Sequence, residues 1–179
     1  MNKQPWSLPV AVADIPETGR RFDLAADPRS RAAIAKAAGL PALPRLEVEF
    51  ELTRHGRDGL RIVGRVSATV EQHCVLTLEP MKSEVEEAVD IVFAPARALL
   101  PKADSTHERT QPDEPPELLH DGVVDLGAVA TEFLLLGINP YPRKPGAVFD
   151  AAKAKGENVT GNPFAALAAL KKARRGQDS

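Results

Sequence analysis

A single cysteine, Cys74, in 179 residues leaves no internal disulfide to form and agrees with a reducing cytoplasm. The chain also has no zinc set: His55, His73, His107 and His120 are scattered, with no i, i+4 pair and no second cysteine. No apolar run approaches the roughly 20 residues that span a bilayer. The opening MNKQPWSLPV lacks the apolar stretch of about 7–15 residues that marks a secretory signal. A soluble cytoplasmic protein with no membrane partner is expected. Aromatics are sparse, at 6 Phe, 1 Trp and 1 Tyr, and no exposed pair on a strand offers a base-stacking platform.

Further absences narrow the chemistry. Gly56, Gly59 and Gly64 sit within a hairpin and open no helix, so they do not cradle a phosphate. No serine occupies a nucleophile elbow. His73 and Cys74 are adjacent on a strand and point to opposite faces, so Cys74 reads as a small buried apolar residue rather than an activated nucleophile. Glu84, Glu86, Glu87 and Asp90 divide between both faces of a strand, the pattern of a solvated strand rather than of an acid/base pair. No catalytic residue, cofactor or metal is assigned, and the protein is expected not to be an enzyme. A hydrolase would need His73, His120 and several carboxylates to converge on one pocket.

What is present is strong patterning. At 19.2 kDa, 43% hydrophobic and 27% charged, the chain suits one globular domain over 1–179, and chains of this size bury roughly 70% of their unfolded surface. Charge is partitioned behind a net −2: residues 1–81 carry 11 Lys+Arg against 10 Asp+Glu, 82–132 carry 4 against 12, and 133–179 carry 8 against 3. An acidic middle and a basic end favour an oriented encounter with a charged partner; a solvated loop and tail would look the same.

Trp6 to Val12 reads as a short strand, with Pro9 confining it to an edge or a strand end. Asp27 caps a helix with Pro28 in its first position and Gly39 beyond its end. From Arg45 the period becomes two, with Leu46, Val48, Phe50 and Leu52 on one face. Alternation resumes after Asp58-Gly59 with Leu60, Ile62, Gly64, Val66, Ala68 and Val70, giving an antiparallel hairpin. Pairing Leu52 with Leu60 sets Glu51 opposite Arg61 and Glu47 opposite Arg65. Val85 to Phe93 makes a third long strand, with a bulge expected at Glu87.

PKADSTHERTQPDEPP (101–116) has four prolines and no periodicity, and reads as a mobile acidic loop. Asp121-Gly122 suggests a short hairpin, and Asp125 caps a helix that Gly137 and Pro140 end. A last helix starts at Asn162-Pro163 and carries Lys171, Lys172, Arg174 and Arg175 at its basic end, over 163–175. The fold class is α+β: an antiparallel sheet or partly closed barrel with a long hairpin, plus helices near 28–38, 126–136 and 163–174.

For nucleic acid, the candidate contacts are Arg54, Arg57, Arg61 and Arg65 with Lys171, Lys172, Arg174 and Arg175, since guanidinium groups bind phosphate in bidentate fashion. Phosphate contact fits this composition better than base reading.

The runs GRVSATVEQHCVLTLEP, VDLGAVATEFLLLGINPYPRKPG and NPFAALAALK together resemble the bacterial YceD family, the large ribosomal RNA subunit accumulation proteins, and the last run resembles its alphaproteobacterial branch. Many members carry C-x-R-C-L-x-P; Cys74, Leu78 and Pro80 fit it, while Leu76 and Thr77 replace the arginine and second cysteine. A metal role suspected for relatives with more cysteines therefore does not carry over. The resemblance implies a non-enzymatic cytoplasmic factor supporting synthesis, processing or stability of large-subunit ribosomal RNA, with that RNA or a pre-large-subunit particle as partner. An alternative is an adaptor whose acidic segment, 82–121, captures a basic ribosomal protein.

Overall fold

A computed structural model describes residues 4–96 and 116–148. The chain divides into two compact units, Met1–Lys144 and Pro145–Ser179, and the fold below is that of the first. Its elements in order are β1 (Pro9–Ala11), a 3-10 turn (Val12–Asp14), β2 (Arg20–Ala25), α1 (Pro28–Ala38), β3 (Ala42–His55), β4 (Gly59–His73), β5 (Pro80–Ala94), β6 (Glu117–Leu118), β7 (Val123–Asp125) and α2 (Leu126–Gly137). The class is α+β, as the patterning predicts. Of the three expected helices, two fall among the described residues; 163–175 and loop residues 101–115 lie outside them.

The main sheet has the order β2-β3-β4-β5-β6 and is open, with β2 and β6 at its ends, so the barrel alternative is set aside. It is antiparallel except for the parallel β5–β6 pair. A separate two-stranded ribbon joins β1 to β7. Period-two patterning gives β3, β4 and β5 one greasy face, and α1 and α2 cover it: Leu46, Val48, Phe50, Leu52, Leu60, Ile62 and Val66 are all buried against Ile34, Leu126, Ala130 and Leu134.

Both helices begin where the sequence places them. The Asp27 carboxylate accepts from Arg29 N at 2.8 Å and Ser30 N at 3.1 Å, and Gly39 closes α1 at φ 68. Asp125 accepts from Gly127 N at 3.0 Å and Ala128 N at 3.2 Å. It also accepts from Leu8 N at 2.7 Å and the Ser7 hydroxyl at 2.6 Å, so one carboxylate both caps α2 and holds the N-terminal segment.

Four expectations are corrected. The hairpin register lies two residues from the charge-based one: Leu52 pairs with Ile62, Glu51 with Val63 and Glu49 with Arg65, because the turn takes three residues, 56–58, and His55 pairs with Gly59 where the charge-based register would set it opposite Arg57. The shift preserves parity, so every apolar residue keeps its face. No bulge occurs at Glu87, where pairing runs unbroken from Leu60↔Phe93 to His73↔Pro80. Glu87 fits on the covered face because Gly137 of α2 leaves room; a Cβ there would lie 2.5 Å from Glu87 Cγ. The Asp121-Gly122 turn forms, bridging His120 to Val123, but its flanks join different sheets instead of a hairpin of their own. Finally, Arg20–Ala25 is a strand that the sequence reading omits; Phe22 opposite Phe50 and Leu24 opposite Val48 supply its inward face.

Candidate functional site

The hairpin arginines occupy very different settings. Arg54 donates from Nε to the Ile15 carbonyl at 2.6 Å and from Nη2 to the Ala13 carbonyl at 3.2 Å, clamping the 3-10 turn. Arg61 makes a two-pronged contact with Asp90 at 2.8 and 2.6 Å, which holds that carboxyl below its ordinary range. Arg65 faces Glu49 at 3.6 Å. Arg57 stands exposed at the turn with no ion pair among the described residues. Lys171, Lys172, Arg174 and Arg175 lie outside those residues.

The same face of the sheet carries more such pairs. Glu49 also meets Arg21 at 3.5 Å, and Arg45 bridges Glu47 at 3.1 Å and Glu84 at 2.8 Å. The Arg45 contact, with the Thr69 hydroxyl after it, lowers the Glu84 pKa. Strand registers gather Arg21, Arg45, Arg61, Arg65 and Lys82 on this uncovered face with eight carboxylates: Asp23, Glu47, Glu49, Glu51, Glu71, Glu84, Glu86 and Asp90. The face is a lattice of ion pairs in which eight carboxylates stand among five cations. The sequence pairs Arg61 and Arg65 with Glu51 and Glu47 across the hairpin; the fold pairs them with Asp90 and Glu49 instead, since β5 lies beside β4 and the hairpin register is shifted.

At the far end of β4 lies the only cysteine. Cys74 is out of solvent contact under a thin cover, its N–H donating to the Glu79 carbonyl at 2.9 Å and its Sγ accepting from Lys144 N at 3.4 Å. The Thr77 hydroxyl and then the Lys144 N–H favour the thiolate and bring the thiol pKa down to about 6, against the opposing effect of burial. Cys74 is thus buried as expected, but it is polarised rather than simply apolar. Among the described residues no three His, Cys, Asp or Glu side chains are grouped to hold a metal ion. No helix among them is long and apolar enough to cross a membrane.

Residues 62–171, which begin in β4 and run through β5 and α2, match the family described as large ribosomal RNA subunit accumulation protein YceD. The chain belongs to the YceD family. No curated protein and no solved structure matches it. In this YceD chain Thr77 stands three residues after Cys74, and its hydroxyl donates to the Glu79 carboxylate at 3.3 Å.

Proposed function

We propose that this YceD protein is a non-enzymatic assembly factor that supports large-subunit ribosomal RNA by binding a basic protein partner on its uncovered sheet face. Family membership points to accumulation of the large subunit. The observation that carries the partner class is the excess of carboxylates on that face, with Arg61 and Arg65 already held by Asp90 and Glu49. A lysine- and arginine-rich segment arriving there gains the field of Glu51 and Glu86, for which no ion pair is formed among the described residues.

The test is calorimetric titration of the full chain with purified basic large-subunit ribosomal proteins. Glu51→Lys combined with Glu86→Lys should weaken the cognate complex at least tenfold while leaving far-UV circular dichroism unchanged. Undiminished binding by the double variant would remove the sheet face from the reading. In cells, the factor should co-sediment with large-subunit precursors.

Direct RNA contact by the hairpin is the second reading, favoured by one observation: Arg57 remains exposed and unpaired among the described residues at the tip.

A further inference from the structure

We propose that the open edge of β2 joins two copies of this chain, strand against strand about a two-fold axis at Phe22, with Arg21 of each copy facing Asp23 of the other. The contact is independent of the partner proposed for the acidic face.

β2 ends the main sheet, and among the described residues no strand lies beyond it. Its edge is six residues long, or about 20 Å. Pairing with β3 decides which main-chain groups that edge presents. Ala26, one step past the Ala25↔Glu47 pair, donates its N–H to the Leu46 carbonyl at 3.0 Å. Bonded and non-bonded pairs alternate along an antiparallel ladder, so Arg20, Phe22 and Leu24 direct their main-chain groups to β3. The N–H and carbonyl groups of Arg21, Asp23 and Ala25 therefore point to the open edge, and they meet no other group among the described residues. Such a row is a template for a further strand.

The side chains select the strand and its register. Two antiparallel copies can bond only where edge-facing residues oppose each other, so the axis must pass through a residue and not between two. Centring the pair on Arg21 or on Asp23 sets like charges directly opposite, which is destabilising. Centring it on Phe22 sets Arg21 opposite Asp23 twice, once on each side of the axis. Each of these is a bonded pair and also exchanges two main-chain hydrogen bonds. Within one chain Arg21 and Asp23 already share a face, 2.9 Å apart and 65% and 61% exposed, so both charges are within reach of a second copy. On the inward face half-buried Phe22 meets its own counterpart, with the Arg20 guanidinium 5.0 Å from the ring centroid. Charges that commonly guard an edge against stray strands are here self-complementary, and the antiparallel second copy supplies the matching order. The two uncovered faces then lie on one side of a single continuous sheet.

Sedimentation equilibrium of the full chain up to about 1 mM, at salt near 0.15 M where the screening length is about 8 Å, tests this. The parent should form a dimer and nothing larger, since a two-fold contact closes on itself. Arg21→Asp or Asp23→Arg alone sets like charges opposite and should weaken the dimer about tenfold, with far-UV circular dichroism unchanged because both side chains are exposed. An equal mixture of the two variants should pair with nearly parental affinity, because each offers the charge that the other lacks. Amide exchange gives a second readout: the Arg21 and Asp23 N–H groups should be protected in the dimer and exchange freely on dilution. The proposal is overturned if the parent is monomeric throughout, if either single variant dimerises as the parent does, or if the mixture fails to recover. Protection that persists on dilution would assign the edge to another segment of the same chain, and protection that appears only with a basic ribosomal protein would assign it to a foreign strand; either overturns the dimer.

Discussion

At the residue scale, Gly64 shows how volume, not charge, sets the register. It pairs with Phe50, and a Cβ there would collide with the Glu49 carbonyl oxygen and lie 3.0 Å from the Phe50 Cα. In the charge-based register Phe50 would oppose Ile62, crowding two large side chains, and the gap at Gly64 would fall beside Val48. Steric fit across the ribbon therefore outweighs exposed ion pairs, each worth about 0–1 kcal/mol. Gly64→Ala should destabilise the fold by about 1–3 kcal/mol or more by overpacking, measured by urea denaturation. Cys74 gives a second residue-scale prediction. Its thiolate is favoured in the folded state, so that contribution to stability is full above the ordinary thiol pKa near 9 and is lost as pH falls through about 6. Thr77→Val removes the leading cause and should move the thiol pKa upward, read from thiolate absorbance at 240 nm during pH titration.

At the element scale, most of the architecture was legible because it rests on local rules. Asp27 and Asp125 announce their helices, Gly39 ends one, and alternation marks β3, β4 and β5. Two features were not legible. β2 is six residues with only Phe22 and Leu24 turned inward, too short to stand out, and it exists because β3 offers it an edge. The short strands β6 and β7 reflect tertiary pairing with β5 and β1, which local pattern cannot foresee. Asp125 is where cap and tertiary contact meet. Asp125→Ala should cost about 1–2 kcal/mol from the cap alone. It should also speed hydrogen exchange in Ser7–Ala11, and unchanged exchange there would separate the cap from the clasp.

At the scale of the whole unit, the residue types of the candidate site were legible, and the particular partners of its arginines were not. Arginine-rich patterning on the β3–β4 hairpin suggests a phosphate surface; in the fold Arg54, Arg61 and Arg65 contact Ile15, Asp90 and Glu49, residues 39 and 29 positions away in the first two cases and brought close only by folding. The acidic middle read as a loop and adaptor segment is, through Glu84, Glu86 and Asp90, one strand of a larger acidic lattice that also draws on β2, β3 and β4. On α1, Arg29, Arg31 and Lys36 make no ion pair among the described residues, and no β pattern advertises them.

In the Met1–Lys144 unit the carboxylate-rich face lies on one side of the sheet, and on the other α1 carries Arg31 and Lys36, which make no ion pair among the described residues. Two copies meeting front to back would satisfy each other, and such a contact repeats without closing. Sedimentation velocity should therefore show reversible, concentration-dependent chaining as salt is withdrawn, abolished by Lys36→Glu, so this separation of charge would make the protein its own weak ligand.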